Sequence, residues 1–174
     1  DLTTRLSDGQ FWRATLTPDG PGTLHLDWRS GDLQARAWGP GAEWLLATVP
    51  GLTGALDPGH VFADAHPLIL AAQHQHPDVR FGASRTLYHE LLPTILGQRI
   101  TAGEALRQWS LLVRRLGAPA PGPDLGLRLP PTPEALTGKP AWWFHPLGIE
   151  AKRAEALRTV AKYADRLQEW SQLT

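Results

Sequence analysis

The sequence predicts an α+β fold, a small antiparallel sheet with a helix followed by an all-helical body. Two patterns and the turns between them support this. Apolar residues alternate with period two over residues 11–38, and from about residue 66 they recur at helical spacing. The alternating stretches are separated by Pro18-Asp19-Gly20-Pro21-Gly22 and by Ser30-Gly31, both turn chemistry. With 174 residues the chain can bury a core without disulfide or metal support. It contains no Cys, which excludes disulfides, thiolate metal sites and cysteine nucleophiles. No run approaches the roughly 18 apolar residues of a membrane span, and no basic-then-apolar leader opens the chain, so we expect a soluble protein.

The amino-terminal pattern reads Trp12, Ala14, Leu16, then Leu24, Leu26, Trp28, then Leu33, Ala35, Ala37. It predicts a three-stranded meander with one apolar face. Residues 41–49 make about two turns of helix carrying Trp44 and Leu45, ended by Pro50-Gly51. Pro67 suits the first position of a helix that runs to Gln75 and stops at His76-Pro77. The next helix follows Ser84, with Leu87, Leu91 and Ile95 on one ladder and Pro93 inside as a kink. Thr101 and Glu104 form a capping-box pattern ahead of a stripe of Ala105, Leu106, Trp109, Leu112, Val113 and Leu116, closed by Gly117. A Pro-rich connector spans 118–133, and Thr132 caps a short helix ending near Gly138. The last predicted helix runs continuously from about Glu150 to Trp170. We set the domains at 1–62 for the sheet unit and 63–174 for the helical one.

The net charge is zero, yet residues 1–79 hold four basic and nine acidic side chains, whereas 80–174 hold thirteen basic and eight acidic. A basic half is compatible with a polyanionic partner and equally with a solvated surface. His66, His74, His76 and His89 fall close together, but their spacing does not suit a metal site, so surface histidines are expected and metal ligands none. Asp64, Glu90, Glu104 and Asp165 read as surface or cap carboxylates rather than a catalytic pair. Trp12, Trp28 and Trp109 fall on apolar stripes and read as core. Trp38, Trp44, Trp142, Trp143 and Trp170 are less constrained, and a stacking role for one of them stays open. Between two apolar helices, Gly97-Gln98-Arg99-Ile100 is either an ordinary helix-helix turn or a projecting polar finger.

The run Ile95-Leu96-Gly97-Gln98-Arg99-Ile100-Thr101, followed by Leu112-Val113-Arg114-Arg115-Leu116-Gly117, resembles a stretch of the alkylated-base DNA glycosylases of the helix-hairpin-helix superfamily, the 3-methyladenine DNA glycosylase II type. His66-Pro67-Leu68 and Leu147-Gly148-Ile149-Glu150-Ala151-Lys152-Arg153-Ala154-Glu155-Ala156-Leu157 are similar to family segments in the same order, as is the amino-terminal meander. The resemblance implies base-excision DNA repair, in which a damaged base is flipped from the duplex and its N-glycosidic bond cleaved. It assigns Gln98 and Arg99 to the wedge that fills the gap in the stack, and Thr101 to the same link, as a cap near a phosphate. Lys152 and Arg153 are expected on the DNA backbone. In the family a Gly-rich hairpin and a catalytic Asp follow the helix matching Lys152–Leu167. Neither is present before Leu173-Thr174, and Asp165 lies on the wrong element.

No catalytic residue is therefore assigned in this chain. Together with position 1 being Asp, this leads us to expect an incomplete helix-hairpin-helix body, an amino-terminal portion that is inactive alone. The alternative is a non-catalytic DNA-binding or interaction module, with a Trp-lined small-ligand binder as a weaker third reading. The expected partner is double-stranded DNA with a damaged base. No cofactor and no membrane are expected, and the chain should be monomeric and cytoplasmic, associated with the nucleoid if bacterial.

Overall fold

The computed structural model describes residues 1–59 and 62–172. Four strands, β1 (Thr4–Ser7), β2 (Gln10–Thr17), β3 (Gly20–Asp27) and β4 (Gln34–Trp38), pair in sequence order as an antiparallel meander. The strand beyond the expected three is β1. Its sequence, Thr-Arg-Leu-Ser, carries one apolar residue and is largely exposed, so it has no alternation to read. The turn into β2 does carry a signal, since Asp8 and Gly9 both adopt positive φ (48° and 73°), as the tight two-residue hairpin requires.

The register corrects the expected single apolar face. Trp12 pairs with His25 and Ala14 with Thr23, while Leu24 and Leu26 sit opposite Arg13 and Phe11. Directly paired residues share a face, so Trp12 and Ala14 lie on one side of the sheet and Leu24 and Leu26 on the other. Both sides are covered. Ala14 packs with Leu127 and Leu129 of the Pro-rich connector. The opposite face meets Leu45 beside Gly22, and His89 bonded to Thr15. Trp28, expected in the core, lies past the end of β3 and is 41% exposed. Trp12 instead stacks on His25, with ring centroids 3.7 Å apart, and on Trp38 at 5.6 Å.

The helices are α1 (Ala42–Leu52), α2 (Pro67–Gln75), α3 (Leu87–Leu96), α4 (Ala102–Leu116), α5 (Pro133–Thr137), α6 (Ala151–Lys162) and α7 (Ala164–Ser171), with a 3-10 helix at Ala141–Leu147. The α+β class is as expected. The sequence did not suggest the 3-10 helix, nor that α1 continues through Pro50. The predicted 150–170 helix is broken at Tyr163, whose N–H turns to the carbonyls of Thr159 and Val160. The break lets α7 pack on α3 and bury Leu167, while α6 buries Ala154, Leu157 and Ala161. A straight helix presents one stripe in one direction and could not serve both. The main core joins Leu92 and Leu96 of α3, Trp109, Leu112 and Val113 of α4, Leu136, Phe144 and Leu157.

The chain forms two compact units, Asp1–Leu46 with Thr86–Thr174, and Ala47–Arg85. Within the larger unit the sheet and α3 interlock through polar groups. Arg13 of β2 donates to Glu90 of α3 at 2.6 Å, and Thr15 meets His89 at 2.9 Å. The smaller unit is held by backbone contacts, with Ala83 N–H donating to Gly51 O and Phe81 N–H to the Asp57 carboxylate. Its helix α2 has Pro67 at the first position and His66 Nδ1 accepting from Leu68 N–H, and it buries none of its residues.

Candidate nucleic-acid interface

The link between α3 and α4 is five residues long, Gly97 to Thr101, counting the cap residue at each end. α3 ends at Gly97, whose N–H returns to Pro93 O, and α4 starts at Thr101, whose hydroxyl accepts from Glu104 N–H at 3.3 Å. This is half of the expected capping box. The other half is absent because the Glu104 carboxylate bonds Arg107 at 2.7 and 2.9 Å and Gln108 at 2.8 Å. Those bonds, from Arg107 first and then Gln108, hold Glu104 at about 2, well below the usual carboxylate range.

Two tight ends leave the residues between them little conformational freedom. Arg99 adopts φ +60°, a left-handed conformation that costs a side-chain-bearing residue about 1–2 kcal/mol. Gln98, Arg99 and Thr101 are all exposed. Arg99 makes no ion pair among the described residues. The link thus presents Gln98 and Arg99 to solvent, as either a helix-helix turn or a polar finger would. Beside the link lies an open groove of about 390 Å³, lined by Pro93, Gly97, Ile100, Leu106, Trp109 and Asp1, in which Trp109 Nε1–H donates to the Asp1 carboxylate at 3.0 Å.

Lys152 and Arg153 are adjacent in sequence but differ in environment. Lys152 is exposed on the first turn of α6. Arg153 is only 6% exposed, and its Nη1 donates to Leu96 O at 3.0 Å and to Gln108 Oε1 at 2.9 Å. This corrects its expected role as a backbone contact. Successive helical residues lie about 100° apart, so the boundary between the exposed and buried faces of α6 can fall between Lys152 and Arg153. Gln108 in turn donates to Gly148 O at 2.7 Å. A buried relay thus runs from Leu96, just before the link, through Arg153 and Gln108 to the end of the 3-10 helix.

The other weighed residues fall outside this site. Glu90 pairs with Arg13, while Asp64 and Asp165 are exposed. His89 is not a surface histidine. It is 3% exposed, bonded to Thr15 and Arg13 through Nδ1 and to Thr3 through Nε2, and burial pushes its pKa well below the ordinary value. The sequence hid this network because its partners come from β2, from α3 and from the residues before β1. Among the described residues, no group of three or more His, Cys, Asp or Glu could hold a metal ion, and no helix is long and apolar enough to cross a membrane. The end of the chain at Leu173-Thr174, where the family hairpin would follow, lies outside the described residues.

No protein-family model matches the sequence, and no curated protein matches it. The fold does match solved structures. A 3-methyladenine DNA glycosylase from Archaeoglobus fulgidus superposes with a TM-score of 0.74 at 18% identity, over 95% of this chain and 59% of that one. MBOgg1, in complex with a low-affinity DNA ligand, gives 0.64 at 13% identity, over 95% of this chain and 56% of its own. The chain therefore has a DNA glycosylase fold and spans somewhat over half the length of each of these neighbours.

Proposed function

We propose that the chain is the amino-terminal portion of an alkylated-base DNA glycosylase of the helix-hairpin-helix superfamily, acting in base-excision repair. Its part in the reaction is to engage duplex DNA and hold the damaged base out of the stack. The exposed Arg99, held at φ +60° on a short link within a glycosylase fold, carries this reading. A guanidinium can fill the space of a missing base by stacking on its neighbours while its edge donates hydrogen bonds, which an aliphatic wedge cannot do. Gln98 supplies a second polar contact beside it. Thr101 fixes the start of α4, and exposed Lys152 faces the phosphate backbone.

On this reading the chain itself supplies no carboxylate for bond cleavage. The 174 residues bind duplex DNA, more tightly when a base pair is already disrupted, and they release no base. Affinity falls steeply with salt, because lysine and arginine contacts release counterions. Anisotropy titrations with intact and mismatched duplexes, run beside an excision assay on methylated duplex, test both halves. Arg99→Ala should remove the preference for disrupted duplex. Turnover by this chain would overturn the assignment of catalysis to other residues, and salt-independent or absent DNA binding would overturn the reading as a whole.

A further inference from the structure

The 3-10 helix Ala141–Leu147 presents a side chain that packing within the fold does not explain. Phe144 and Leu147 are buried and anchor the segment, and Gly148 closes it in the left-handed conformation at φ +78°. Trp142 on the same segment is 72% exposed. Its neighbour Trp143 sits edge-on to Phe144 at 5.2 Å, with Lys139 Nζ 5.4 Å above the Trp143 ring. A large indole is thus held out into solvent on a rigid frame. Such a ring gains most from a flat apolar partner.

The buried relay joins the frame to the link. Gly148 O accepts from Gln108, Gln108 accepts from Arg153, and Arg153 donates to Leu96 O. At about 2 Å per residue, Trp142 stands roughly 12 Å from Gly148 along the 3-10 helix. The exposed cations Arg99 and Lys152 make no ion pair among the described residues, and Lys139 adds a third positive charge. An exposed aromatic ring on a segment that also carries a lysine suits a nucleic-acid strand, where every base offers a π-face and every linkage a negative charge.

We propose that Trp142 is a second strand contact of the same interface, stacking on a base left unpaired next to the disrupted site, with Lys139 and Lys152 facing the flanking phosphates. This rests on the glycosylase reading above and names a residue that reading does not use. Anisotropy titrations of the intact chain would compare a duplex carrying one bulged base with the fully paired duplex. Trp142→Ala lowers affinity for the bulged duplex by about 5- to 100-fold, the range of a lost base–aromatic stack, and Trp142→Phe keeps most of it. The paired duplex, which offers no free base, changes less than about twofold, within the scatter of a surface substitution.

The emission difference between the native chain and Trp142→Phe isolates this one indole among eight, and it is quenched by the bulged duplex. An unchanged bulged-duplex affinity in Trp142→Ala, an equal loss on both duplexes, or absent quenching overturns the proposal. If Arg99→Ala still removes the preference for disrupted duplex in any of those cases, the glycosylase reading stands without it. If the native chain binds neither duplex, both fall.

Discussion

Replacing Arg153 separates a core support from a DNA contact. Arg153→Met keeps most of the side-chain volume and removes the guanidinium, leaving Leu96 O and Gln108 Oε1 without their donor inside the core. A hydrogen bond from a charged group is worth about 1.5–3 kcal/mol, and Arg153 makes two of them. We expect a loss of about 3–5 kcal/mol from a domain whose total stability is of order 5–15 kcal/mol. At about 2–4 °C per kcal/mol for a chain of this size, the melting midpoint falls by roughly 6–20 °C. Urea and thermal unfolding followed by tryptophan emission measure this directly. Lys152→Met, on the exposed neighbour, should move stability by less than about 0.5 kcal/mol. A stability change in Arg153→Met below about 1 kcal/mol, accompanied by lost DNA affinity, would refute the relay and restore Arg153 to the DNA surface.

Stability should also depend on pH in a window set by the buried histidines. The pKa of His89 is pushed well below 6.5 by burial and then by Arg13, and that of His25 is lowered chiefly by burial, so both take up a proton less readily in the fold than when unfolded. Stability is full above about pH 6.5 and declines below it by up to about 1.4 kcal/mol per pH unit for each histidine. Asp27 and Glu104, held at about 2 by Arg29 and Arg107, shift stability only lower, as pH falls from the carboxylate range toward 2. His89→Gln should flatten the urea midpoint between pH 6.5 and 5, and an unchanged slope would remove His89 from the account. Gly148→Ala places a methyl 2.9 Å from Arg107 Nη2 and 3.2 Å from Glu104 Oε1 at φ +78°, so a loss of at least about 1 kcal/mol is expected in the same urea assay.

Much of this architecture was legible because local signals and tertiary packing agree. The Thr101 cap, the α4 stripe through Trp109 and Leu112, and the Thr132-Pro133 start of α5 all appear where the pattern puts them. The exposure of Gln98 and Arg99 was legible for the same reason, as two strong helix signals leave only a short link between them. What escaped depends on partners distant in sequence. Nothing local to Lys152-Arg153 says which one turns inward, because the acceptors lie on α3 and α4. Alternation over β2 and β3 suggested a one-sided sheet, since it cannot reveal that the Pro-rich connector returns to cover the second face. The polar β1 has no pattern of its own and exists because Asp8-Gly9 folds it onto β2. The break at Tyr163 carries neither Gly nor Pro, and it arises from the demand that α7 reach α3.

The relay from Leu96 through Arg153 and Gln108 to Gly148 has a consequence for how the molecule opens. Its three hydrogen bonds join α3, α4, α6 and the 3-10 helix by side chains that each serve two elements. Such groups cannot release one element while keeping the other intact. Amide protons of the link and of the Trp142 segment should therefore exchange with solvent deuterium through one shared opening event, and Arg153→Met should speed both sets together. The two places where this chain is proposed to touch DNA, far apart in sequence, would then form and melt as a single cooperative block.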